Sequence, residues 1–131
     1  MHITAIYAAL SALLIVALSF RVIRLRLSTR TGIGDGGHQD LARRIRAHAN
    51  AVEYLPLALL LLLLVEWNQT LPLIVHGFGI VLVLGRLLHA VGLSRSAGAS
   101  PARFIGMLLT LLCLLGMAAL LLWQAVVLTS V

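Results

Sequence analysis

The stretch Arg43-Arg44-Ile45-Arg46-Ala47-His48-Ala49-Asn50-Ala51-Val52-Glu53-Tyr54-Leu55-Pro56 runs directly into the apolar wall of residues 57–65. Nothing else in the chain is so rich in ionisable groups. On an α-helix Arg46, Asn50 and Glu53 stand at i, i+4 and i+7, within about 60° of one another at ~100° per residue. They make one polar stripe, flanked by Arg43 and Tyr54, while His48 points the opposite way. A carboxylate in hydrocarbon is costly, so Glu53 should face protein or water and should have a partner.

The composition around this stretch is that of an integral membrane protein. Of 131 residues, 61% are hydrophobic and 11% charged, and the mean hydropathy of +1.07 lies far outside the range of soluble domains. The net charge of +6 comes from ten arginines and four acids. In so apolar a chain these arginines read as juxtamembrane groups facing the cytoplasm and anionic lipid, and no nucleic-acid partner is expected. The single Cys113 lies in an apolar run; it permits no intramolecular disulfide and no cysteine-based metal site, and reads as a small hydrophobe.

Four spans are expected, at about residues 3–28, 41–66, 71–93 and 101–130, in one domain covering 1–131. Residues 3–20 carry no charge and are long enough to cross ~30 Å of hydrocarbon. The arginines follow this run instead of preceding it, which predicts a retained helix and not a cleaved leader. The glycine-rich segment 31–37 stops that helix. It lacks the Lys-Ser/Thr ending of a phosphate loop and reads as a connection, with Asp40 as N-cap of the second helix. Pro56 removes the hydrogen bond to the Val52 carbonyl and should bend that helix one turn beyond Asn50 and Glu53. The third span begins at Pro72 and carries Gly77, Gly79, Gly85 and Gly92, which permit close helix contact. Residues 94–100 form a small-residue loop. Ser100-Pro101 reads as N-cap and first turn of the fourth helix, where Ala102, Gly106 and Thr110 make a row of small residues.

All ten arginines fall near the first or third loop. Those loops should be cytoplasmic, which places both termini on the far side. At ~1.5 Å per residue Glu53 lies about 18 Å from Val65 and Arg86 about 22 Å from Leu71, so the two share a level. Arg21, Arg24, Arg26, Arg46, Asn50 and Arg103 occupy the same third of the bilayer. This predicts a basic cavity open to the cytoplasm and suited to a small anionic or zwitterionic ligand, with Glu53 taking a ligand ammonium or holding Arg86 in place. A purely structural Glu53–Arg86 pair is the competing reading. Arg21, Arg26, Arg30, Arg44 and Arg95 read as topology-setting or snorkelling groups. His89 is either an acid or base or a residue bonded to a neighbouring helix, and His48 reads as structural. No metal-ligand spacing and no nucleophile-elbow pattern is present.

The run from Arg46 to Pro56 resembles the signature of the membrane-associated proteins in eicosanoid and glutathione metabolism, the MAPEG family of microsomal glutathione transferases, leukotriene C synthase and microsomal prostaglandin E synthase. The likeness extends to Ile23-Arg24-Leu25-Arg26, to Gly85-Arg86 with His89, and to Arg103. It implies an all-α, integral membrane four-helix bundle assembling as a homotrimer, with glutathione bound between subunits near the cytoplasmic side. Arg24, Arg46, Asn50, Glu53 and Tyr54 match glutathione-contacting positions, with Arg86 and His89 in the same pocket. Arg103 matches, after a one-residue shift in the preceding loop, the arginine credited in some members with stabilising the thiolate. Leu93 stands where several eukaryotic members carry a glutathione-contacting tyrosine. The compact length is similar to bacterial members, implying an inner-membrane location.

The resemblance implies a glutathione transferase that activates the thiolate for attack on apolar electrophiles, and a peroxidase using the same thiolate on lipid hydroperoxides. A non-catalytic scaffold binding lipid or a partner protein is the alternative. A small transporter is a third reading, disfavoured because the chain has no paired inverted repeats.

Overall fold

A computed structural model describes residues 2–95, 98 and 100–129, without the side chains of 128 and 129. Residues 96, 97 and 99 of the expected third loop, and residue 130 of the expected fourth span, lie outside the described residues. The chain is an all-α bundle of four helices: α1 (Ile3–Thr29), α2 (Gln39–Trp67), α3 (Pro72–Arg95) and α4 (Pro101–Thr129). Each is long and apolar enough to cross a membrane.

The ends of these helices follow from local chemistry. α1 stops at Arg30, whose left-handed backbone (φ 53°) turns its N–H back to the Arg26 and Leu27 carbonyls. Arg26 then locks the loop by donating from Nη1 to the carbonyls of Thr31, Gly32 and Gly34 at 3.0–3.3 Å. Asp35 accepts the Gly37 N–H at 2.9 Å, and the His38 N–H closes on the Asp35 carbonyl at 2.9 Å. That turn starts α2 two residues before the expected Leu41. Asp40 is therefore not the N-cap: it stands in the first turn, paired with Arg43, where its charge still favours the helix dipole. α2 runs through Pro56 without interruption. Ser100 caps α4 as expected, its Oγ accepting the Arg103 N–H at 3.3 Å.

A cap that the sequence did not reveal joins the two ends of the first hairpin. α1 begins without a side-chain cap of its own. The carboxylate of Glu66, at the far end of α2, accepts the N–H groups of Ile3 at 3.1 Å and Thr4 at 2.8 Å. A full negative charge thus sits against the positive end of the α1 dipole.

The core runs down the middle of the bundle through Leu55, Ala58, Leu62, Val65, Val75, Leu82 and Met117, all buried. The outer faces carry exposed Leu13, Leu73, Leu115 and Val126, the surface of a protein whose exterior meets hydrocarbon instead of water. α1 packs on α2 and α3, α4 packs on α2 and α3, and among the described residues α1 and α4 do not touch.

Three of the four α3 glycines make the expected close contacts. A Cβ on Gly79 would fall 2.3 Å from the Tyr7 ring, and one on Gly92 2.5 Å from the Arg103 nitrogen. Gly85 faces Gly106, whose own Cβ would meet the His89 nitrogen at 2.4 Å and the Gly85 carbonyl at 2.5 Å. α3 and α4 therefore cross backbone to backbone, as the row containing Gly106 and Thr110 predicts. Gly77 is the exception, because it faces open space.

Candidate functional site

The α3–α4 crossing fixes one wall of a cavity of about 730 Å³. α2 contributes Ala42, Arg43, Arg46 and Asn50; α3 contributes His89 and Leu93; Ser100, Arg103, Phe104 and Met107 line it from the start of α4. Basic side chains and an apolar floor share the space. Arg43, Phe104 and Met107 were not among the expected site residues. Arg43 was legible as a flank of the stripe, whereas the two apolar residues carry no sequence signal that separates them from core.

Arg86 stands behind this cavity instead of in it. Its side chain is 1% exposed, and Nη2 donates to Oδ1 of Asn50 at 3.0 Å. The guanidinium carbon lies 5.4 Å from the centre of the Tyr54 ring, within cation–π range. Nε and Nη1 are buried and have no hydrogen-bond partner among the described residues. Because a guanidinium only donates, Asn50 must turn its carbonyl oxygen towards Arg86, which leaves the amide NH₂ for the cavity. Asn50 thus adds a donor to a space already lined by three guanidinium-bearing residues.

Of the two roles read for Glu53, the pairing with Arg86 is not formed. Glu53 lies 3.6 Å from Arg46, with both side chains at least half exposed. The stripe is real as a helical face, since positions 46 and 53 meet across two turns. The expectation failed on burial: the outer edge of the stripe is open while Arg86 is enclosed, and exposed partners contribute little to stability. Neither Glu53 nor Tyr54 lines the cavity in a single chain.

His89 is 5% exposed, and its Nδ1 lies 3.1 Å from the carbonyl oxygen of Arg103. It is bonded to a neighbouring helix and also lines the cavity, so the two readings of this residue are not exclusive. His48 bonds Ser19 across the α1–α2 interface at 2.9 Å, a structural contact. Cys113 is buried with Sγ 3.4 Å from the Phe78 carbonyl.

Arg24 is set apart from these residues. It lies with Arg21, Leu25, Ser28 and Arg44 in a second cavity of about 400 Å³ between α1 and α2. A single chain thus brings together Arg46, Asn50, His89 and Arg103, places Arg86 and Tyr54 behind them, leaves Glu53 on the rim and holds Arg24 elsewhere.

The chain is similar to the inner membrane protein YecN of Escherichia coli strain K12, with 50% identity over 90 residues that make up 69% of each chain. The YecN protein of the O6:H1 strain gives the same identity and coverage. The sequence pattern of the MAPEG family matches residues 4–123, nearly the whole chain. Together with four apolar helices and a cavity lined by arginines and apolar side chains at the α2–α3–α4 junction, this establishes an integral membrane protein that belongs to the MAPEG family.

Proposed function

We propose that this protein is a glutathione transferase of the bacterial inner membrane, which also reduces hydroperoxides with the same thiolate. The observation that carries the reading is the cavity itself, in which Arg43, Arg46, Arg103 and the Asn50 amide share the lining with the apolar Phe104 and Met107. Glutathione brings two carboxylates, which guanidiniums bind in bidentate fashion. An apolar electrophile enters past Phe104, which is 69% exposed on the outer surface of α4. Arg46 and Asn50 hold the peptide, and Arg103 stabilises the thiolate, the nucleophilic form of a thiol whose ordinary pKa of about 8.5 leaves it mostly protonated at neutral pH.

The functional unit is a homotrimer in this reading. Arg24 lies away from the main cavity of its own chain, and a neighbouring subunit brings it, with Glu53 and Tyr54, to the bound peptide. The cavity faces the cytoplasm and both termini lie on the opposite side, as the clustering of arginines in the first and third loops supports.

Calorimetric titration of the detergent-purified protein with glutathione, together with conjugation of a reactive aryl halide, tests the activity. Micromolar-to-millimolar binding with turnover supports it, and neither binding nor conjugation overturns it. Binding without turnover, unchanged in Arg103→Ala, would instead assign the chain as a non-catalytic scaffold. Native mass spectrometry reads the trimer directly.

A further inference from the structure

A thiol cannot become a thiolate unless some atom takes its proton, and the cavity is built almost wholly of groups that cannot. Arg43, Arg46 and Arg103 carry guanidiniums that stay protonated and offer no lone pair. Asn50 has its acceptor turned away to Arg86 and shows its NH₂. An arginine stabilises a thiolate once formed, but it is no base.

The histidine is different, and its tautomer follows from its bond. Nδ1 lies 3.1 Å from the carbonyl oxygen of Arg103, which only accepts, so Nδ1 must carry the hydrogen. In the neutral ring the lone pair is then on Nε2. No hydrogen bond engages Nε2 among the described residues, and His89 lines the cavity. The charges that act on it are Arg86 on its own helix and Arg103 on α4; Arg43 and Arg46 on α2 line the same cavity, each paired with a carboxylate, Asp40 and Glu53. A bound glutathione sets its two carboxylates against these guanidiniums.

We infer that Nε2 of His89 is the proton acceptor for the thiol, with the Arg103 backbone as the group that sets its tautomer and Arg86 as a positioning residue acting through Asn50. This rests on the glutathione reading and deepens it. In the step, the S–H bond breaks, its electron pair stays on sulfur, and the proton forms an N–H bond at Nε2, giving an imidazolium–thiolate pair. The sulfur pair then forms the bond to the electrophilic carbon of an aryl halide, the halide leaves with its own bonding pair, and the imidazolium returns its proton to solvent. Arg103 thereby serves the reaction twice, through its side chain at the thiolate and through its carbonyl at the base.

The test is His89→Gln, whose side-chain amide can still donate to the Arg103 carbonyl but whose remaining oxygen is not basic. Thiolate formation is followed by stopped-flow ultraviolet absorbance after mixing with glutathione, and binding by calorimetry. The expected result is binding within about twofold of wild type with thiolate formation slowed by about 100-fold or more, the scale of general-base catalysis. An unchanged rate of thiolate formation in His89→Gln overturns the inference while leaving the glutathione reading intact. Absence of glutathione binding in the wild type overturns the reading on which it rests. If His89→Gln does not fold, ¹⁵N resonance of histidine-labelled wild type decides: the histidine whose ring signals move on adding glutathione must show a protonated Nδ1 and a bare Nε2 in the free protein. A protonated Nε2 there overturns the assignment.

Discussion

Arg86 donates to Asn50 across 3.0 Å, and this bond decides which end of the carboxamide faces the cavity. The guanidinium is enclosed, with Nε and Nη1 lacking partners among the described residues, so the pair is a place where a single atom change has opposite effects on stability and binding. Asn50→Asp exchanges the inward NH₂ for an oxygen and gives Arg86 a carboxylate. Removing one partner from a buried charge is costly, and supplying a missing one reverses that cost. We expect a more stable protein in thermal unfolding in detergent, together with glutathione affinity lowered about 10- to 100-fold, the value of one hydrogen bond to a charged group. A variant that binds glutathione as well as wild type does would show that the amide does not face the ligand.

Arg46 and Arg103 line the same cavity from different helices, and the proposed division of work separates them kinetically. Arg46→Ala removes a group that holds the peptide before and during reaction, so KM and Kd should rise with kcat little changed. Arg103→Ala removes charge stabilisation at sulfur, so kcat should fall by about 10²–10³ with Kd within a few fold. Steady-state conjugation kinetics combined with calorimetry separates the two. Equal losses in both constants for both variants would remove the distinction.

The crossing of α3 and α4 supports the cavity wall, and two glycines test how. A Cβ on Gly106 meets the α3 backbone at two points, His89 N at 2.4 Å and Gly85 O at 2.5 Å, and backbone cannot swing away as a side-chain tip can. Gly106→Ala should separate the helices, lower stability by about 1–3 kcal/mol and displace His89 from the Arg103 carbonyl. Gly77→Ala meets nothing within 4 Å and should be neutral or gain up to about 1 kcal/mol from helix propensity. Thermal unfolding of the pair in the same detergent gives the comparison. A Gly106→Ala protein as stable as Gly77→Ala would mean that the helices are not in backbone contact.

What was legible in the sequence was periodic or covalent. The Arg46–Asn50–Glu53 face follows from 3.6 residues per turn, the Ser100 cap from its neighbour Pro101, and the Gly85 and Gly106 contacts from the absence of a Cβ. What was not legible depends on which way a helix faces in three dimensions. Counting helical rise puts Glu53 and Arg86 at a similar level but says nothing of their environments: rotation about α2 turns one side of the stripe outward, and hydropathy does not encode that angle. His89 was readable as a base or as a bonded residue, and only the approach of α4 shows how one ring can be both. The role of Glu66 carries no local signal, since its partners are 62 and 63 residues away.

That long-range cap carries the remaining prediction. Glu66 provides both acceptors for the first turn of α1, a helix with no side-chain cap of its own and no acidic residue in its first turn. Glu66→Ala should lower stability by about 1–2 kcal/mol, the usual value of an N-cap reinforced by charge at the helix dipole. Glu66→Gln keeps one acceptor oxygen and should lose about half as much. The loss should be local as well as global: the amides of Ile3 and Thr4 should exchange hydrogen about tenfold faster, while those around Leu62 and Leu82 in the core change only with overall stability. Hydrogen exchange read by mass spectrometry in detergent micelles distinguishes this from a general loosening of the bundle. Uniform acceleration along all four helices would show that Glu66 stabilises the bundle as a whole and not the start of α1. The substitution also separates structure from chemistry, since Glu66 lies at the end of α2 opposite the cavity and its loss should leave glutathione affinity unaltered.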